Sequence, residues 1–316
     1  MKINQVHSAL FGVAVGDALG VPVEFQDREL LARFPVVNMR ENGSHAQPRG
    51  TWSDDSSLTF CLAESLCIDY DLEDIASKFK KWYNSEIWTP HGRVFDIGIA
   101  TREAIYRIST GHKPELCGGF DVEDNGNGSL MRILPLAFYL KEEKDINIIY
   151  QKVKEVSSIT HAHFRSVFAC FIYVVYALEI LKGHDKFEAY NQTKIIVEDF
   201  IANKDFNKKE IQLFDRILKV NVNELEKDKV YSSGYVLHSL EASLWCLLKS
   251  NTYEETVLKA VNLGGDTDTT AAIAGGLAGL LYGYENIPEE WINVLARKND
   301  ITKLCDTLSK KYEIHN

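Results

Sequence analysis

Two short stretches of this chain carry hydroxyl and carboxylate oxygens where a helix would begin. In the first, Ser53, Asp54 and Asp55 run into Leu58, Leu62, Ala63 and Leu66. In the second, Gly264 and Gly265 lead through Asp266, Asp268 and Thr269 into Ala271, Ala274, Gly275, Leu277, Ala278 and Leu281. Both apolar series have helical spacing. One acid in each stretch has a structural explanation, because Ser and Asp are favoured N-caps and an anion suits the positive end of a helix dipole. The second carboxylate is left over, and like charges crowded on one arc are costly unless a cation lies between them. The stretches lie more than half the chain apart, so only a fold that unites the two helix starts could combine them. United, they would offer four carboxylates and two hydroxyls, hard oxygen donors suited to Mg²⁺, Mn²⁺ or Ca²⁺ and poorly matched to zinc.

Two further places could add chemistry. Glu24 follows Val21-Pro22-Val23; alone it reads as a solvated loop acid, and beside a metal it becomes a candidate ligand or base. The run Gly126-Asn127-Gly128-Ser129 precedes a helix expected to begin near Ser129, with Leu130, Ile133, Leu134 and Leu136 turned inward. Its glycines serve either a turn with no ligand or a set of backbone amides that cradles a diphosphate.

These residues need helices to hold them. Residues 3–20 read as an amphipathic helix with Ile3, Val6, Leu10 and Ala14 on one face. Gly275, Gly276 and Gly279 each cost up to ~1 kcal/mol relative to alanine in an exposed helix, so another element must approach that face closely. The apolar run from Ala271 is well short of the ~20 residues of a membrane span; a buried central helix fits it. His161 and His163 stand ahead of a long apolar helix, and Gly234 and Tyr235 ahead of another. Residues 184–230 are rich in lysine and glutamate and read as a solvated, peripheral helical region.

The chain has 316 residues, 45% of them hydrophobic and 25% charged, enough for a large core. The net charge is −10 and no basic run is visible, which argues against a nucleic-acid partner. An anionic ligand would therefore need local amides, helix ends or metal ions to outweigh the overall field. Six cysteines without a C-x-x-C pair suggest reduced core thiols and a cytoplasmic protein. The first twenty residues, interrupted by glycine and by Asp17, do not read as a signal peptide. Neither a membrane-spanning segment nor a fixed-period repeat is expected.

In order along the chain, GDALGVPVEF, WSDD and GGDTDTTAAIAGG resemble the ADP-ribosylglycohydrolase family, including its arginine-directed members of the dinitrogenase reductase-activating type. The resemblance implies an all-α single domain over residues 1–316, with two Mg²⁺ or Mn²⁺ ions, that hydrolyses ADP-ribose from modified side chains. It implies metal ligation by Ser53, Asp54, Asp55, Asp266, Asp268 and Thr269. Ser53 stands where threonine is frequent, and keeps the hydroxyl. Glu24 matches an acid beside the metals, and Asp55 or Glu24 would accept the proton of the attacking water. Asp124 matches an acid near the modified side chain and would hold a guanidinium. Gly126, Asn127, Gly128 and Ser129 match a segment lining the ligand cleft. His161 would contact the ADP-ribose phosphates or ribose. Gly234 and Tyr235 match a G-Y segment in which the tyrosine either stacks on the ligand or packs in the core. The implied partner is an ADP-ribosylated protein, the product ADP-ribose, and the default state a monomer. Two other readings stay open: a non-catalytic ADP-ribose binder, immunity or structural protein, and a binuclear phosphohydrolase cutting the diphosphate.

Overall fold

Small residues on two helices decide how the middle of the molecule packs. The helix Gln5–Gly20 starts from Asn4, whose side chain accepts the His7 N–H. It crosses the helix Thr267–Tyr282 with the two backbones nearly in contact. A Cβ on Gly12 would lie 2.3 Å from the carbonyl oxygen of Gly275, and one on Gly16 would lie 2.1 Å from that of Ala271. Only glycine at these crossings lets the helices come so near. The close approach expected from Gly275 and its neighbours is therefore made, and the partner is the N-terminal helix.

The structure, a computed structural model, describes residues 4–312. Those residues form an all-α fold, with isolated bridges but no strand among them. Around the central pair pack Asp54–Leu66, Phe164–Leu181, Val236–Leu248, Tyr253–Val261 and Lys298–Tyr312. Two buried phenols tie this arrangement to the central backbones: Tyr253 donates to Gly12 O at 2.7 Å and Tyr173 to Ile273 O at 3.0 Å. The buried side chains make one continuous cluster.

Three expectations need adjusting. The first helix is not amphipathic: every residue from Ser8 to Gly20 is buried, so its apolar character is that of a core element on all sides. Ile3 lies outside the described residues. Both Gln5–Val23 and Phe164–Leu181 are long and apolar enough to cross a membrane, and burial among other helices accounts for that composition. The 184–230 region is peripheral but not wholly solvated. Phe200, Phe206 and Phe214 turn inward onto Phe164, Phe168 and Phe171, forming an aromatic cluster beside the core.

Candidate active site

The fold brings the two acidic helix starts together. Thr269 Oγ1 donates to Asp55 Oδ2 at 3.3 Å, and Ser53 Oγ donates to the same oxygen at 2.9 Å. Oxygens of Asp55, Asp268 and a third acid, Asp17, lie within 4.8 Å of one another; so do oxygens of Glu24, Asp266 and Asp268. The capping explanation of Asp266 does not hold: at the N-cap of its helix it makes no capping bond, and accepts instead from Asn127 Nδ2 at 2.6 Å. Ser53 does cap the other helix, but weakly, accepting the Asp55 N–H at 3.4 Å.

Asp17 completes that helix start. Fully buried, it accepts the Ser53 N–H with both oxygens at 2.9 and 3.0 Å, the Ser56 N–H at 3.0 Å and the Ser56 hydroxyl at 2.6 Å. Its position follows from the glycine crossing, which presses the N-terminal helix against Thr267–Tyr282 and carries Asp17 to the level of Asp268. Burial pushes the Asp17 carboxyl up to about 6, against the pull of these hydrogen bonds. Asp54, Asp55 and Asp268 are pushed well above the usual carboxylate range, first by burial and then by the neighbouring acids. Asp55 Oδ1 is buried without a hydrogen-bond partner. A cluster of desolvated carboxylates that raise one another, with an orphaned oxygen facing inward, is the donor set that hard divalent cations require.

Glu24 is not a solvated loop acid. It is 5% exposed, and its Oε2 is bonded to His45 Nε2. Its loop is stitched to the late motif, Phe25 N–H donating to Gly265 O at 2.7 Å and Gly265 N–H to Gln26 O at 2.9 Å. Gly264 and Gly265 both take the left-handed backbone (φ +73° and +72°) that this turn demands. Ser44 donates to Glu24 O at 2.6 Å, holding the His45 turn against it. Burial raises the Glu24 carboxyl to about 7, with the His45 hydrogen bond opposing it. Asp96 closes a third group with Glu24 and His45, again within 4.8 Å.

These residues open into a cleft of about 390 Å³ lined by Glu24, Asp54, Asp96, Thr101, Gly126, Gly128, His161, Gly234 and Asp266 among others. A larger depression of about 720 Å³ between Tyr83 and Tyr106 contains none of the acids. Several expectations for the cleft change. No helix begins at Ser129: successive turns run from Gly128 to Pro135, and the helix is only Leu136–Leu140. Pro135 lacks an N–H and restrains the residue before it, so no longer helix can pass through. Asn127 cannot offer its amide to a ligand, because that N–H donates to Gly234 O at 3.0 Å while its side chain spans Asp266 and Ser239. Ser129 is fully buried, its hydroxyl accepting from Ser157 at 2.9 Å. Asp124 closes its own turn, accepting the Asp121 N–H at 3.0 Å, and Glu123 lines the cleft in its place. Tyr235 faces a separate depression, where its ring meets His238 edge-on at 5.1 Å. His161 lines the cleft, bonded through Nδ1 to Thr160 at 2.8 Å, and burial together with Arg132 lowers its imidazole to about 3, so the ring is neutral. His163 caps the next helix, accepting the Arg165 N–H at 3.2 Å.

The model of the family described as ADP-ribosylglycohydrolase matches residues 2–315. The chain belongs to the ADP-ribosylglycohydrolase family. Within it, this member is 32% identical to the ADP-ribosylarginine hydrolase Tri1 of Pseudomonas putida, over 97% of this chain and 78% of that one. It is 29% identical to the ADP-ribosyl-[dinitrogen reductase] glycohydrolase of Rhodospirillum rubrum, over 96% and 95% of the two chains. A solved structure titled ADP-ribosylglycohydrolase-related protein complex superposes with a TM-score of 0.80 at 30% identity, covering 98% of this chain and 99% of the other.

Besides Glu123, next to the expected Asp124, sequence reasoning passed over three residues of this ADP-ribosylglycohydrolase site. Asp17 had a visible signal, a lone acid in an otherwise apolar helix, where an unpaired carboxylate is expensive. His45 and Asp96 had none: each lies in a connection between longer helices, and only the fold sets them against Glu24.

Proposed function

We propose that this protein hydrolyses the N-glycosidic bond between ADP-ribose and an arginine side chain of a modified protein, with two divalent cations, Mg²⁺ or Mn²⁺, as cofactors. The observation that carries the reading is the meeting of the Ser53 and Asp266 helix starts in one buried, mutually repelling acid cluster. The names of the relatives, ADP-ribosylarginine hydrolase among them, support the substrate. Ser53, Asp54, Asp55, Asp266, Asp268 and Thr269 would hold the cations, with Asp17 bracketing the first helix start through its hydrogen bonds to Ser53 and Ser56. When bound, such cations supply Lewis-acid polarisation and a lowered pKa for a nearby water.

The remaining steps belong to the chain's own residues. Glu24, buried at the edge of the acid cluster and oriented by its bond to His45, is placed to act as the base that takes the proton from the attacking water. The water oxygen bonds to the anomeric carbon as the carbon–nitrogen bond breaks, and the nitrogen leaves with its electron pair as guanidine. Asp55 is the weaker candidate base, because its Oδ2 already accepts from two hydroxyls. Asp96 and Glu123 face the cleft as carboxylates for the guanidinium, whereas Asp124 commits one oxygen to the Asp121 N–H. Gly126 and Gly128 expose backbone where the diphosphate would lie, beside the neutral His161. Unbridged thiols at Cys61, Cys67, Cys117, Cys170 and Cys246 support a cytoplasmic setting.

The test is release of ADP-ribose from arginine-modified protein with Mg²⁺ or Mn²⁺, with and without chelator. Intact ADP-ribose released only when metal is present is the expected product. AMP would point to cleavage of the diphosphate, and binding without release would leave a non-catalytic ADP-ribose binder.

A further inference from the structure

Arg132 lies beneath the cleft, fully buried, and pairs with no carboxylate among the described residues within ion-pair distance. Its Nη1 donates to Gly128 O at 2.6 Å and its Nη2 to Val156 O at 3.2 Å, while Nε has no partner. The guanidinium rests 4.6 Å over the ring of Phe79. A buried charge satisfied only by carbonyls is costly, and burial brings this group down to about 10, still charged at neutral pH. Packing alone gives no reason for a cation here, since an apolar side chain would fill the space without that cost.

The two carbonyls it grips belong to two segments that build neighbouring walls of the cleft. Gly128 is in the glycine loop, and Val156 is in the last turn of the helix Ile146–Ser158, which leads directly to Thr160 and His161. Those walls touch: a Cβ on Gly128 would lie 2.7 Å from His161 Cε1. Ser157 adds a neutral link, its hydroxyl reaching Ser129 Oγ and His161 O, both at 2.9 Å. Because the peptide is planar and trans, a guanidinium holding the Gly128 oxygen inward also turns the Ser129 N–H the opposite way.

We infer that Arg132 is a positioning residue for the anionic part of the ligand: it clamps the Gly126–Ser129 loop to the His161 segment and sets an unpaired positive charge behind both. The inference rests on the reading of this cleft as an ADP-ribose site. It requires no contact between Arg132 and the ligand, only that the loop's geometry depends on the two-pronged grip, which a planar fork provides and an ammonium does not.

The experiment compares Arg132→Lys and Arg132→Met with the parent protein. It measures Kd for ADP-ribose and for adenosine by calorimetry in Mg²⁺, Mn²⁺ affinity, melting temperature, and KM against kcat for release. A loop released from this grip presents its backbone less well to the ligand, and the scale expected is about 10-fold in affinity. Arg132→Met should raise Kd for ADP-ribose by about that factor while adenosine and Mn²⁺ affinities stay within about 2-fold, and KM should rise by more than kcat falls. Arg132→Lys, keeping charge but not the fork, should fall between the two. Parent-like ADP-ribose affinity in Arg132→Lys and Arg132→Met overturns the inference. So does an equal loss for ADP-ribose, adenosine and Mn²⁺, or failure of both variants to fold, since each marks Arg132 as a residue of general stability. If the parent protein itself does not bind ADP-ribose, the reading of the cleft fails before Arg132 is tested.

Discussion

Removing metal should make the protein less stable as pH rises, and returning it should reverse that trend. Burial raises Asp17 from 3.8 to about 6 and Glu24 from 4.5 to about 7. A pKa unit is worth about 1.4 kcal/mol, so keeping either group ionised in the folded protein costs about 3 kcal/mol relative to the unfolded chain. The two share one acid cluster, so their costs are coupled and cannot simply be added. The sign follows from proton counting. Between about pH 4 and pH 7 the native state holds protons that the unfolded chain has released, so stability falls across that window. Below it both states are protonated and the cost disappears; above it the cost is complete. Divalent cations bind the ionised carboxylates, so they stabilise most where the penalty is largest. In a chain of this size about 3 kcal/mol corresponds to a melting shift on the order of 5 °C. Thermal melting at about pH 5 and about pH 8, in EDTA and in Mg²⁺ or Mn²⁺, gives the readout, and Asp17→Asn should flatten the EDTA profile. A metal-induced shift no larger at the higher pH, together with an Asp17→Asn profile identical to the parent, would refute the reasoning.

Gly275→Ala should destabilise despite gaining up to ~1 kcal/mol of helix propensity. Its Cβ would stand 2.4 Å from Gly12 O, and overpacking of this kind costs about 1–3 kcal/mol; a melting temperature equal to or above the parent's would contradict the crossing. His45→Ala removes a bond that lowers Glu24, so the Glu24 carboxyl should rise above about 7. Relative to the parent assayed with the same metal, the acid limb of the kcat/KM profile should then move to higher pH, with activity recovered on the alkaline side; an unmoved limb would exclude Glu24 as the titrating base. Asp266→Ala should abolish metal-dependent release of ADP-ribose, and full activity in that variant would defeat the metal assignment. Tyr235→Ala should leave ADP-ribose affinity within about 2-fold, since the ring faces His238 and not the cleft; a loss of about 10-fold in calorimetry would return the tyrosine to the site.

The one-dimensional pattern already contained the chemistry. Paired carboxylates at Asp54–Asp55 and at Asp266–Asp268 were legible because like charges at helix starts exceed what capping needs, and the small face of Thr267–Tyr282 was legible because glycine is a poor choice for any exposed helix. All-α character was implied by the family resemblance, and the helical spacing of the individual segments agreed with it. What periodicity cannot carry is which distant carbonyl or carboxylate a side chain meets. Asp17 acquired its place through the Gly12–Gly275 crossing, and His45 through the Ser44 hydroxyl bonded to Glu24 O, while Asp96 reaches the same glutamate from the connection before Ile99–Ser109. Asp124 and Tyr235 left their expected places for local bonds, a turn with Asp121 and an edge contact with His238, while Asn127 keeps its place in the cleft lining but gives its amide to the Gly234 carbonyl. Residue type sets what an atom can bind, and such preferences are local, whereas proximity between atoms far apart in the chain is decided only when the helices pack.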